Sequence, residues 1–213
     1  MSSPRIAVID YGSGNLRSVS KALERSGLAP FITPDPSAVR GADAVVLPGV
    51  GAFADAISSL KSSGLADAVC DTLTARRPYL GLCLGLQVLF EEGDEHGITR
   101  GLSVLPGRVE RFDAQGDDGV RLRVPHIGWN AVKFSGEHPM LSKLPAEDCF
   151  YFVHSYRAVP GRSADVLGRT DYGGEFAAAV GREDMFAVQF HPEKSQAAGH
   201  RLLDAFAYWI DEC

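Results

Sequence analysis

Between residues 5 and 90 the chain alternates: short apolar runs closed by glycine or proline are separated by stretches with helical spacing of apolar side chains. Residues 5–10 are rich in aliphatic side chains and run into Tyr11-Gly12-Ser13-Gly14-Asn15. Leu16, Val19, Ala22 and Leu23 then recur at helical spacing, with Gly27 as a stop. Phe31 and Ile32 suit a short second strand ahead of Pro34 and Pro36. Residues 44–47 form a third run, closed by Pro48-Gly49-Val50-Gly51, and residues 52–76 read as helix interrupted near Gly64. A fourth run at 79–82 leads into a helical stretch over 84–90. Strands joined by helical crossovers lie parallel, and a parallel sheet is covered on both faces. The expected fold class is therefore α/β, a central and mostly parallel sheet flanked by helices.

From Gly101 onward the pattern changes. Short runs recur at 102–105, 109–112, 129–134, 149–153, 176–180 and 185–190 without long helices between them, which predicts antiparallel additions in this half. Residues 113–119 form a polar, glycine-bearing loop. The chain closes on a helix whose Leu202, Phe206, Trp209 and Ile210 share one apolar face. There is no internal repeat or linker, and 213 residues suit one sizeable domain, here 1–213.

Composition narrows the function classes. A net charge of −6 supplies no electrostatic attraction for nucleic acid or an anionic membrane. No apolar run reaches the roughly 20 residues of a membrane span, and Met1-Ser2-Ser3-Pro4 does not open a signal peptide. Cys70, Cys83, Cys149 and Cys213 are widely spaced and include no C-x-x-C pair, so neither a zinc site nor a disulfide framework is expected. A reducing cytoplasm fits. Gly12-x-Gly14 begins like a dinucleotide-binding loop, but position 17 is Arg17 where that fingerprint needs glycine, so no such cofactor is expected.

Chemistry concentrates at Gly81-Leu82-Cys83-Leu84-Gly85. A strand that turns into a helix at one residue needs small neighbours, and the residue at the tip projects its side chain outward at the helix start. There the positive end of the helix favours a thiolate. A cysteine in an apolar stretch is also commonly an inert core residue, and both readings stand until a base is found. Of the six histidines, His191 is best placed, following the run at 185–190 in His191-Pro192-Glu193. If that segment stays extended, His191 and Glu193 project to one side, and Glu193 can bond one imidazole nitrogen while the other faces Cys83. Leu84 N–H, at the helix start, is an oxyanion donor by the elbow geometry. His126 and His154 read as structural histidines beside apolar strands.

Gly81-Leu82-Cys83-Leu84-Gly85-Leu86-Gln87 together with Gln189-Phe190-His191-Pro192-Glu193 closely resembles the class I, triad-type glutamine amidotransferases, and the resemblance runs nearly end to end. It implies a flavodoxin-like fold, no cofactor and no metal. It also implies hydrolysis of L-glutamine with Cys83 as nucleophile, His191 as base and Glu193 as its orienter. Pro48-Gly49-Val50-Gly51 is similar to the family's oxyanion segment, which implies a second donor from Gly49–Val50. By the same carry-over Gly51, Gln87, Glu95, Ser155 and Tyr156 are substrate-binding candidates, Glu95 suiting the α-ammonium.

Several stretches, among them Pro125-His126-Ile127-Gly128-Trp129-Asn130 and Tyr151-Phe152-Val153-His154-Ser155-Tyr156, resemble the branch of that family whose acceptor is a (β/α)₈-barrel cyclase. Asn15, Trp129, Tyr151, His154 and Lys194 resemble positions near the ammonia exit and the subunit contact. A chain of this length has no second domain to use the ammonia, so a heterodimer is expected. Alternatives within the family serve anthranilate, aminodeoxychorismate or pyridoxal phosphate synthesis. Outside it, a flavodoxin-like cysteine hydrolase or a non-catalytic regulatory subunit would keep the same framework.

Overall fold

The computed structural model describes residues 4–117, 119 and 121–212. Met1–Ser3, Cys213 and part of the 113–119 loop read above lie outside the described residues. The first half follows the alternation: β1 (Arg5–Ile9), α1 (Leu16–Arg25), β2 (Ala29–Thr33), α2 (Pro36–Arg40), β3 (Ala44–Gly49), α3 (Phe53–Ser62), α4 (Leu65–Thr74) and β4 (Tyr79–Cys83). Short helix α5 (Leu84–Gln87) follows, then β5 (Phe90–Asp94), β6 (Ile98–Arg100), β7 (Leu105–Arg111) and β8 (His126–Phe134). The rest comprises β9 (Glu147–His154), β10 (Tyr156–Pro160), β11 (Val166–Asp171), β12 (Glu175–Arg182), β13 (Met185–Val188) and α6 (Gln196–Glu212).

The main sheet runs β2-β1-β3-β4-β13-β12-β11-β8-β9. Pairings from β2 through β13 are parallel, and those beyond are antiparallel. Side chains alternate across this parallel core, as a two-residue period demands. Ile6, Val8, Val46, Leu80, Leu82, Phe186 and Val188 pack with α1 and α6 on one face. Ala7, Ile9, Val45, Leu47, Tyr79 and Ala187 pack with α3 and α4 on the other. The predicted face of the closing helix is buried in full: Leu202, Phe206, Trp209 and Ile210.

Four readings need correction. The helix expected over 84–90 is one turn, Leu84–Gln87, because Val88-Leu89-Phe90 turns away and starts β5. Residues 102–104 are not a strand; only Leu105 joins one. Strands β5 and β6 were not anticipated, because Phe90-Glu91-Glu92-Gly93-Asp94 and Ile98-Thr99-Arg100 are short and carry no apolar alternation. They join β7 and β10 in a second sheet, β10-β7-β5-β6, packed through Leu105, Val109 and Ala158 onto the α3/α4 side. Helix α2 and strands β10 and β11 were also missed; Pro36 begins the helix, and Asp35 caps it by accepting from Ser37 N–H.

Candidate active site

Three adjacent parallel strands, β3, β4 and β13, end at one edge, and the site is built from their last residues. Register pairs Gly49 of β3 with Cys83 of β4 on one side. On the other, Val188 of β13 pairs with Leu82, which puts Gln189 level with Cys83. Cys83 adopts φ 54°, ψ −102°, a conformation that costs a β-carbon-bearing residue free energy and is held only by its surroundings. The flanking glycines are explained by close approach. A β-carbon on Gly81 would press on the Gly85 carbonyl, and one on Gly85 would overlap the Leu47 carbonyl. The elbow geometry is thus present, although α5 is too short for its dipole to add much at the sulfur.

His191 follows β13 and its backbone N–H donates to the Tyr151 carbonyl. Ser195 Oγ donates to the His191 carbonyl at 2.6 Å and accepts from Tyr151 N–H at 3.0 Å, tying the His191 turn to β9. The expectation that residues 191–193 stay extended is corrected: Pro192–Lys194 is a 3₁₀ turn. The turn still brings the pair together, and His191 Nδ1 donates to Glu193 Oε1 at 2.9 Å with both side chains only 3% exposed. That bond leaves Nε2 as the nitrogen for proton transfer. Burial opposes the charged imidazole, but the Cys83 sulfur and the Glu193 carboxylate outweigh it and carry His191 up to about 10.

Beside Cys83 and His191 lies a cleft of about 430 Å³, the size of a small-molecule site. Every predicted substrate-binding residue lines it: Gly51, Gln87, Glu95, Ser155 and Tyr156. Leu84 and Val50 line it too, while Gly49 lies at the β3 end directly behind. Glu95 also has a structural task. Its Oε2 accepts from Phe53 N–H at 2.6 Å, which caps α3 where Ala52 has no side chain to do so. Gly49 has room for no side chain, since a β-carbon would run into the Tyr11 hydroxyl and Leu84 Cβ. The Val50 carbonyl accepts from Ser13 Oγ at 2.6 Å, so the 11–14 loop is tied to the Gly49–Val50 segment.

The five exit and contact candidates separate. Lys194 lines the cleft mouth. Trp129 is 47% exposed and meets Tyr151 edge-on across β8 and β9, with Asn15 exposed at the start of α1. His154 also lines the cleft but is buried, as its structural reading required. Its Nδ1 donates to the Tyr156 carbonyl at 2.8 Å, and its Nε2 accepts from His126 Nδ1 at 3.0 Å. Burial holds both neutral, pushing His126 down to about 4 and His154 to about 3.

Sequence reading quoted Gln189, Pro125 and Val153 within motifs but gave them no role; Gln189 is fully buried against Cys83, and Pro125 and Val153 line the cleft wall. A glutamine ending a fully apolar strand was the available signal, since a buried amide must be hydrogen-bonded. Among the described residues, no group of three or more His, Cys, Asp or Glu side chains is arranged to hold a metal ion, and no helix is long and apolar enough to cross a membrane.

Residues 7–209 match the family Glutamine amidotransferase class-I. The chain is 50% identical over 209 residues to imidazole glycerol phosphate synthase subunit HisH of Methylococcus capsulatus, covering 96% of each. It is likewise 50% identical to the HisH subunit of Nitrosococcus oceani over 207 residues, 96% of this chain and 97% of the other. Among solved structures, PurLQS from Thermotoga maritima superposes with a TM-score of 0.72 at 17% identity, covering 99% of both chains, a likeness of fold.

Proposed function

The chain belongs to the class-I glutamine amidotransferase family, and we propose from that premise that it works as the glutaminase subunit HisH of imidazole glycerol phosphate synthase. One observation carries the chemistry: Cys83 and His191 converge on a cleft lined by all five glutamine-binding candidates, with Glu193 buried behind the base. Cys83 attacks the side-chain amide carbonyl of L-glutamine while His191 Nε2 takes the thiol proton. The carbonyl electron pair moves onto oxygen, where Leu84 N–H and the Gly49–Val50 segment supply donors. Collapse breaks the C–N bond, His191 returns the proton to the departing nitrogen, and ammonia leaves a glutamyl thioester. Water, deprotonated by His191, then releases glutamate and restores the thiol. Glu193 keeps Nε2 as the working nitrogen throughout.

Ammonia set free in neutral water is protonated and loses its lone pair, so it has to be handed on. The acceptor we propose is the cyclase subunit HisF, a (β/α)₈ barrel that forms imidazole glycerol phosphate and AICAR in histidine biosynthesis. The exposed Trp129 and Ile127, beside the cleft-lining Val153, support docking over the cleft mouth. Glutaminase activity of the wild-type chain and of Cys83→Ala, each with and without HisF and its nucleotide ligand, tests this. Slow turnover alone, strong stimulation by liganded HisF and none in Cys83→Ala are expected. Full activity of the chain alone, or indifference to HisF, would overturn the assignment.

A further inference from the structure

Cys83 has a neighbour that the triad does not use. Gln189 ends β13 level with Cys83, its backbone N–H donates to the Ala178 carbonyl, and its side chain is wholly buried. Its amide nitrogen lies 3.5 Å from Cys83 Sγ. Amide nitrogen and oxygen look alike in shape, so the orientation has to be argued from the partners. Gln87 settles it. One polar atom of the Gln87 amide lies 3.1 Å from the Tyr156 carbonyl oxygen, and a carbonyl only accepts, so that atom is the NH₂ group. The same NH₂ lies 3.0 Å from Gln189, so the Gln189 atom facing it is the oxygen. The remaining end of the Gln189 amide is the nitrogen, and it faces sulfur.

We propose that Gln189 is a further catalytic residue, donating a side-chain N–H to the Cys83 sulfur and stabilising the thiolate both as nucleophile and as leaving group. The inference rests on the glutaminase reading for its consequence, though not for its geometry. The thiol proton goes to His191 Nε2, and the sulfur left negative accepts the Gln189 N–H. As the S–C bond forms, the sulfur pair is shared with carbon and the charge passes to oxygen. When the thioester is hydrolysed the C–S bond breaks, the pair returns to sulfur, and the same N–H meets it. Gln189 transfers no proton. Helix α5, a single turn, provides little of the field usually met at a strand-to-helix elbow, and a buried amide donor takes over that part. Gln87 is then a positioning residue as well as part of the cleft wall, because it sets which end of Gln189 meets sulfur.

Iodoacetamide alkylation of the full chain, resolved at the Cys83 peptide by mass spectrometry because Cys70 and Cys149 are also free, reads thiolate without glutamine turnover. Gln189→Met keeps the bulk and removes the donor; Gln189→Glu keeps the shape and the acceptor for Gln87. In Gln189→Met the pH profile of Cys83 alkylation should be displaced toward alkali by about one unit, so that the rate on its rising limb falls about tenfold. Gln189→Glu should fall further. Wild-type profiles in folded variants would overturn the proposal. Should a variant not fold, the wild-type side-chain amide proton resonance of Gln189 decides. It should move with the midpoint of Cys83 alkylation and be flat in Cys83→Ala; a resonance indifferent to pH in wild type would overturn the proposal. Absent glutamine turnover with the alkylation shifts intact would refute the glutaminase reading alone.

Discussion

At the scale of single residues, the site depends on atoms held where they are unfavourable by themselves. Cys83 is 7% exposed and sits at positive φ, and the His191–Glu193 pair is buried. Glu193→Gln keeps the shape and removes the charge that supports a protonated His191, so the base should lose its raised affinity for the proton. Glutamine hydrolysis in the stimulated complex should fall about 10²- to 10⁴-fold, read as kcat with KM little changed. The glycines make a separate prediction. Gly85→Ala puts a β-carbon into the Leu47 carbonyl, so α5 and β3 must move apart. Urea unfolding should show a loss of about 1–3 kcal/mol, alongside reduced alkylation of Cys83. The glycines, the cysteine and the histidine–glutamate pair were all legible as residue types at a spacing. Gln189 was not, because only the β4–β13 register shows which polar side chain reaches the sulfur.

At the scale of elements, β8 and β9 illustrate how one hairpin serves two surfaces. Phe150, Phe152 and Val132 enter the core, while Ile127, Trp129 and Tyr151 take the opposite face. An exposed tryptophan against a tyrosine is what an interface anchor presents before its partner arrives. Trp129→Ala should leave the stability of the isolated chain nearly unchanged and weaken HisF binding by about 2 kcal/mol, roughly 30-fold in Kd, measured by calorimetric titration. Elements with apolar periodicity were readable: the parallel strands, α1, α3, α4 and α6. The stretch after Cys83 misled because apolar content cannot distinguish a long helix from one turn followed by a buried strand. The turn at 192–194 misled for a related reason. Pro192 restricts its neighbour's backbone, yet the hydrogen bonds of Ser195 bend the chain after it.

At the scale of the whole molecule, two apolar clusters, one on each face of the main sheet, share the same strands, and the smaller sheet packs onto one of them. We propose that residues 1–213 behave as one domain; circular dichroism and tryptophan fluorescence should then report a single coincident urea transition. The buried histidines give that transition a pH dependence. His154, held neutral at about 3, resists a proton that the unfolded chain accepts at its ordinary value near 6.5. Its contribution is therefore fully present above that value and is lost as pH falls toward 3. Going from about pH 7 to pH 5 should cost about 2 kcal/mol through His154, with His126 and His138 acting in the same direction. His154→Asn should flatten the slope, measured as unfolding free energy against pH.

What the chain's sequence determined by itself is local: where strands and helices alternate, which residue stands at the elbow, and which histidine has a carboxylate two places on. Those follow from periodicity, steric freedom at glycine and side-chain chemistry, all carried within a few residues. The tertiary structure alone decided the rest. It set Gly49 and Gln189 on either side of Cys83 through strand register, turned Glu95 to cap a helix far from it in sequence, and completed a second sheet with two strands, β5 and β6, that have no apolar alternation. The physical reason is that register and packing are properties of the whole sheet. Hydrogen bonds between strands and burial against both layers choose which distant residues become neighbours, and the cleft beside Cys83 exists only where those neighbours meet.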